Sequence, residues 1–316
     1  MDKQMSRQHS KRRLPVITSF PLRSPDELEG DRKVRVEVLH DTLSRFENGN
    51  EQYIRIAGEN LSRWTSEARS QRPRTLRVYC VQSDLLAMVM KLTKQYGVLF
   101  AALNMANESH PGGGYTTGAA AQEENMARRT YLHNTFDQTV LTVNRRNSVV
   151  YTDEMQRLIS GVDKRVYLSK DPLVCIRGEE LYDRPDLGYE LYEEKDIFPF
   201  LELRSAAVNT QAVRLPRKYV MREMERRIDA QFATLIENGV RHVVLSAFGC
   251  GAFRNDPTVV AALYRNAIAR YAEHFSVIAF AIYYAGHGEN NFPSFKHELS
   301  KLGSPLIAQQ THTRLE

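Results

Sequence analysis

The chain has 316 residues, of which 42% are hydrophobic and 26% charged, and carries a formal net charge of +5. That length suffices for one large core of roughly 200 to 250 residues plus extensions. No apolar run of about 18 residues occurs, so no membrane-spanning helix is predicted. The basic start MDKQMSRQHSKRRLP lacks the apolar segment of a secretory signal.

Cys80, Cys175 and Cys250 are too few and too scattered for a disulfide framework or a zinc cage, and they indicate a reducing, cytoplasmic setting. Much of the positive charge lies in the first 13 residues. It weakly favours polyanionic partners but does not by itself mark nucleic-acid binding. Residues 1–30 read as a disordered or loosely docked basic tail. Its Lys11, Arg12 and Arg13 are either a nuclear address or simply solvated. A secreted effector remains an alternative setting.

Apolar spacing predicts helices over 33–47 and 53–70, ahead of the sheet, with Trp64 in the core. A strand follows at 76–81. Asp84 is then either the N-cap of a helix over 85–96 or a ligand contact at the carboxyl end of a strand. The most informative stretch is 98–124. Its apolar start, 98–103, reads as a buried strand. The chain then passes Asn104, Asn107 and Pro111 into Gly112, Gly113 and Gly114, and after seven residues reaches Gln122, Glu123 and Glu124 at the head of a helix over 121–136. Glycines after a strand admit close backbone approach and suit phosphate. The P-loop pattern fails because no Lys-Ser/Thr pair follows, and the dinucleotide fingerprint fails at Thr117. Glu124 has two readings: an acid/base group, or a partner for Arg128 one turn on.

Further strands are predicted at 148–152, 165–169, 172–177 and 201–207. Residues 178–200 read as a surface loop whose Tyr182, Tyr189 and Tyr192 either rim a pocket or cover the core. A helix over 219–236 precedes a strand at 241–248 and a second glycine turn, Gly249, Cys250, Gly251, Ala252 and Phe253. Asp256 and Pro257 then open a helix over 258–275. A strand at 277–284 and a helix over 294–302 complete the series. This alternation predicts a mostly parallel sheet with helices on both faces. Both glycine turns would open at one sheet edge, where two helix N-termini can face one diphosphate. A nucleophilic Cys250, with His242 or His287 as base, competes with a small side chain filling a phosphate loop. No metal-ligand spacing is present.

The run Gly112-Gly113-Gly114, seven residues, Gln122-Glu123-Glu124 resembles the GGG-x(6–8)-QEE signature of poly(ADP-ribose) glycohydrolases. AQEENMARRT and SAFGCGAFRNDPTVVA are similar to the microbial-type branch. The resemblance implies a macrodomain-like three-layer α/β/α fold with a mixed central sheet. It would comprise helices over 31–75, an ADP-ribose glycohydrolase domain over 76–303 and a polar tail over 304–316. Glu124 would be the catalytic acid/base, with Glu123 and Gln122 positioning it. Gly112, Gly113 and Gly114 would hold ribose and diphosphate, and Asn104 and Asn107 of the Asn-x-x-Asn element would bind ribose. Gly249, Cys250, Gly251 and Ala252 would form the second diphosphate loop. Phe253 would stand on the adenosine side, and Asp84 would read the adenine amine. The implied protein is a monomeric hydrolase without cofactor or metal, acting on poly(ADP-ribose) on modified proteins and not on membranes or nucleic acid. A mono-ADP-ribosyl hydrolase and a non-catalytic ADP-ribose reader are the alternatives.

Overall fold

In the computed structural model, residues 22–68, 73, 75–212, 215–286 and 288–303 are described. The basic stretch at 1–21, His287 and the tail at 304–316 lie outside them. The elements in chain order are α1 (Gly30–Glu67), β1 (Arg77–Val81), α2 (Leu85–Tyr96), β2 (Ala101–Ala106), α3 (Gln122–Arg129), β3 (Leu141–Val143), β4 (Val149–Tyr151) and α4 (Asp153–Ile159). They continue with β5 (Tyr167–Leu168), β6 (Leu173–Cys175), β7 (Phe198–Ala206), α5 (Arg217–Glu237), β8 (His242–Leu245), α6 (Pro257–Tyr271), β9 (Val277–Ala281) and α7 (Phe292–Ser300).

The central sheet runs β1-β9-β8-β2-β7-β5, with β6 also paired to β7. The five strands from β1 to β7 are parallel, and β5 and β6 join β7 antiparallel, so the sheet is mixed. β3 and β4 form a separate hairpin. Helices α5, α6 and α7 pack in succession, and α1 packs on α2, α3 and β7. β9 reads as an unbroken apolar run because it is buried on both faces, and every one of its residues is buried.

Local chemistry sets the helix ends. Asp84 caps α2 by accepting from Ala87 N at 2.8 Å, and Gly97 closes it in the left-handed region at φ +58°. A Cβ at Gly97 would stand 2.4 Å from the Trp64 carbonyl oxygen, so only glycine lets α2 dock against α1 there. Asp256 caps α6 through Thr258 N and Val259 N.

Three expectations are corrected. The two predicted N-terminal helices are one, α1, in which only Gly49 leaves helical backbone angles. The helix predicted over 121–136 stops at Arg129, because Thr130 turns extended and bridges Cys175, and 132–135 forms a separate 3-10 turn. Glu124 and Arg128 stay one turn apart on α3, and Tyr131 and Thr135 lie beyond its end. Residues 178–200 are more than surface cover. Arg177 bridges Leu191, Glu180 bridges Gly188, and Glu180, Leu187 and Tyr189 are buried.

Candidate active site

The parallel order places the carboxyl ends of β1, β9, β8 and β2 along one edge. A cleft of ≈ 370 Å³ opens there, within the usual range for small-molecule sites. Asp84 lines it at the β1 end, Tyr283 and Tyr284 after β9, Gly249, Gly251, Ala252 and Phe253 after β8, and Met105 and Gln122 beside β2. Of the two glycine turns only the second lines this cleft; Gly112–Gly114, Glu123 and Glu124 lie outside its lining, in the stretch that follows β2.

The Gly112–Gly114 turn folds over the two carboxylates of α3. Glu123, 3% exposed, accepts from Asn107 N at 2.7 Å and from Gly112 N at 3.1 Å. Glu124, 8% exposed, accepts from Gly114 N at 2.9 Å. Gly113 N donates to the His110 carbonyl. All three glycine N–H groups are therefore engaged inside the protein, and the expected phosphate grip by this loop is not what the structure presents. The glycines are needed for another reason. Gly112 and Gly113 have φ of +69° and +61°, and a Cβ on Gly113 would stand 2.3 Å from Glu124 Oε1.

Burial pushes the Glu123 carboxyl well above the ordinary value for a glutamate, and the neighbouring Glu124 charge adds to this. The Asn107 N–H and the buried Arg204 pull the other way. Beneath the pair, Arg204 makes a two-pronged ion pair with Glu202, at 2.7 and 2.8 Å. Its guanidinium carbon lies 4.6 Å from the Tyr167 ring centroid and 5.0 Å from that of Phe136. Glu124 does not pair with Arg128. Arg128 instead bonds the Tyr189 hydroxyl at 2.8 Å and the Ala119 carbonyl at 2.9 Å.

Free backbone donors lie elsewhere on the cleft. The second turn uses the N–H groups of Cys250, Arg254 and Asn255 for its own closure. Those of Gly251, Ala252 and Phe253 donate to no atom among the described residues. The same holds at the start of α3 for Ala120, Ala121 and Gln122. These two sets line one cleft, and the second adds the positive end of a helix dipole. Gln122 itself is tied to β2: Oε1 accepts from Met105 N at 2.8 Å, and Nε2 donates to the Leu103 carbonyl at 3.0 Å. Gly249 is in the left-handed region at φ +72°, and a Cβ there would meet Ala207 Cβ at 2.4 Å.

Asp84 is the N-cap of α2 and also lines the cleft, and it is held by Arg129 Nη1 at 2.8 Å. Phe253 lines the cleft. Asn104 does not. It is fully buried on the other face of β2 from Met105 and donates to Glu202 at 2.7 Å, because successive strand residues point to opposite faces. Asn107 uses its side-chain oxygen to accept from Ser109 N and His110 N, which shapes the loop. Cys250 is buried, and burial pushes its thiol far up, which disfavours a thiolate nucleophile.

Sequence reasoning missed Glu180, Tyr283 and Tyr284. Glu180 accepts from Arg35 Nε at 2.7 Å and from the Tyr189 hydroxyl at 2.6 Å, so it joins α1 to the cleft wall. Tyr182 and Tyr283 lie with ring centroids 6.2 Å apart. The two tyrosines after β9 carried a signal: a polar aromatic pair directly following an inner apolar strand.

Residues 29–156, which include both carboxylates and the Gly112–Gly114 turn, match the family model of the microbial-type PARG catalytic domain. No curated protein matches the chain. Among solved structures, the poly(ADP-ribose) glycohydrolase of Thermomonospora curvata is similar, with 22% identity, 84% of this chain and 100% of that chain covered, and a TM-score of 0.62. Its complex with the inhibitor ADP-HPD gives 22% identity, 84% and 99% coverage, and a TM-score of 0.58. The Deinococcus radiodurans enzyme in complex with ADP-ribose gives 24% identity, 78% and 93% coverage, and a TM-score of 0.56. Residues 29–156 thus match the microbial-type PARG catalytic domain, and the chain as a whole shares the fold of the bacterial poly(ADP-ribose) glycohydrolases.

Proposed function

We propose that the chain hydrolyses the ribose O-glycosidic bond of poly(ADP-ribose) and releases ADP-ribose, with Glu124 as general acid and then general base. The observation that carries this reading is the Glu123–Glu124 pair held under the Gly112–Gly114 turn, flanked by the cleft-lining Gln122 and Asn125.

The substrate lies across the sheet edge. From β1 to β2 the order β1-β9-β8-β2 gives three strand spacings, about 14 Å in all. The base sits by Asp84 and the Tyr283 ring, and the distal ribose reaches Glu124. The diphosphate lies between the free N–H groups of 251–253 and those at the start of α3, so one of the two expected grips passes from the first glycine loop to a helix N-terminus.

Cleavage proceeds through an oxocarbenium-like state at the anomeric carbon. Glu124 gives its proton to the departing ribose oxygen, the diphosphate offsets the cationic charge, and the Glu124 carboxylate then takes a proton from the water that attacks that carbon. Glu123 fixes the loop that orients Glu124. Its own oxygens are taken by Asn107 N and Gly112 N.

The test is release of ADP-ribose from polymer by Glu124→Gln and Glu124→Ala, with calorimetric titration of ADP-ribose alongside. Turnover is lost in both variants and binding stays within about threefold, as for a group that acts in the transition state. Undiminished cleavage by both variants overturns the assignment. Hydrolysis of mono-ADP-ribosylated protein with polymer left intact selects the mono-ADP-ribosyl reading instead.

A further inference from the structure

Arg129 is fully buried, yet it organises the β1 end of the cleft. Nη1 donates to Asp84 Oδ1 at 2.8 Å and to Asn125 Oδ1 at 2.9 Å, and Nε donates to the Arg177 carbonyl at 3.1 Å. Asp84 and Asn125 both line the cleft. The α2 cap and the Arg129 bond both fall on Asp84 Oδ1. Oδ2 is the oxygen left for a ligand. Arg129 also stands on the last turn of the helix whose first turn carries Glu124. From 124 to 129 is five residues, a rise of about 7.5 Å. One short helix therefore carries the reacting carboxylate at one end and the clamp on Asp84 at the other.

We propose that Arg129 is a positioning residue: by clamping Asp84 it fixes an acceptor for the exocyclic amine of the substrate's base and sets that base in register with Glu124. This rests on the ADP-ribose reading above. The chemistry is a matter of donors and acceptors. An ionised carboxylate only accepts, so it bonds the amine of adenine and opposes the carbonyl that hypoxanthine carries at the same position. A hydrogen-bonding site of this kind discriminates strongly only if its acceptor cannot turn aside. The cap alone leaves Asp84 one neutral partner; Arg129 adds a buried, charge-assisted second.

The experiment is calorimetric titration of the full chain with ADP-ribose and with its inosine counterpart, for the native protein, Arg129→Gln, Arg129→Lys, Asp84→Asn and the Asp84→Asn/Arg129→Gln double variant. The native protein prefers ADP-ribose by at least about tenfold. Arg129→Gln brings the ratio to about two or less, and kcat on polymer falls with it, while binding of the inosine ligand stays unchanged, which a merely loosened fold would not produce. In the Asp84→Asn background, Arg129→Gln changes the ratio no further. Arg129→Lys, a point donor that cannot span Asp84, Asn125 and the Arg177 carbonyl, lowers the ratio at least about threefold. Arg129→Lys decides the matter if Arg129→Gln does not fold. A native ratio near one, or an unchanged ratio in Arg129→Lys or Asp84→Asn, overturns the inference and leaves the proposed reaction standing. No ADP-ribose binding by the native protein defeats the reaction itself.

Discussion

Gly113 lies directly over Glu124: a side chain on that glycine would meet Glu124 Oε1 at 2.3 Å. The contact makes Gly113 the most restrictive position beside the carboxylate proposed above as the acid/base. Gly113→Ala pays left-handed strain of about 1–3 kcal/mol and displaces Glu124, so turnover falls at least about 100-fold. Gly239→Ala is the control. Its φ is +67° but nothing lies within 4 Å of the added atom, so it loses stability and keeps full turnover. Initial rates and thermal melts of the two variants check this.

Glu123 makes stability depend on pH. Its carboxyl titrates well above its ordinary value of 4.5 in the folded protein, because of burial and then the Glu124 charge. The stability from its bound proton is complete below pH 4.5 and is lost as pH rises through the folded value. Glu123→Gln removes this dependence but forfeits a backbone bond, so the variant is less stable at pH 4.5 and the gap narrows towards pH 8. Urea melts across that range read the gap directly. A gap that widens with pH contradicts the sign.

Arg204 and Glu202 are buried together under the site. Arg204→Met leaves the Glu202 carboxylate uncompensated, at a cost of about 3–5 kcal/mol. The Arg204→Met/Glu202→Leu double variant recovers much of it. Denaturant unfolding of the two variants measures the difference.

Cys250 fills the second turn as a small buried group. Cys250→Ala keeps kcat within about twofold, and iodoacetamide at neutral pH leaves the native enzyme active, since a thiol whose pKa is raised by burial supplies little thiolate. Loss of activity on either treatment would restore a nucleophilic role.

Where local chemistry decides, the sequence was legible. The expected span 85–96 coincides with α2 because Asp84 and Gly97 mark its ends. The Asp256-Pro257 start of α6 was readable for the same reason. What distant partners decide was not legible. Thr130 leaves α3 to pair with Cys175, a residue far along the chain. Glu180 sits in a segment without period, and its burial follows from Arg35 and Tyr189. Asn104 shares the Asn-x-x-Asn spacing with Asn107, but the strand pleat turns it inward onto Glu202.

Glu180 reaches from the cleft wall to Arg35 of α1. A chain cut to begin at β1 would take Arg35 from that buried carboxylate, leave Arg128 Nη2 at 3.7 Å as its remaining ion pair, and loosen the segment behind it. Affinity for a sugar nucleotide would then fall through the loss of a helix that lies outside the binding cavity, and trimming this protein to its sheet would cost it its ligand.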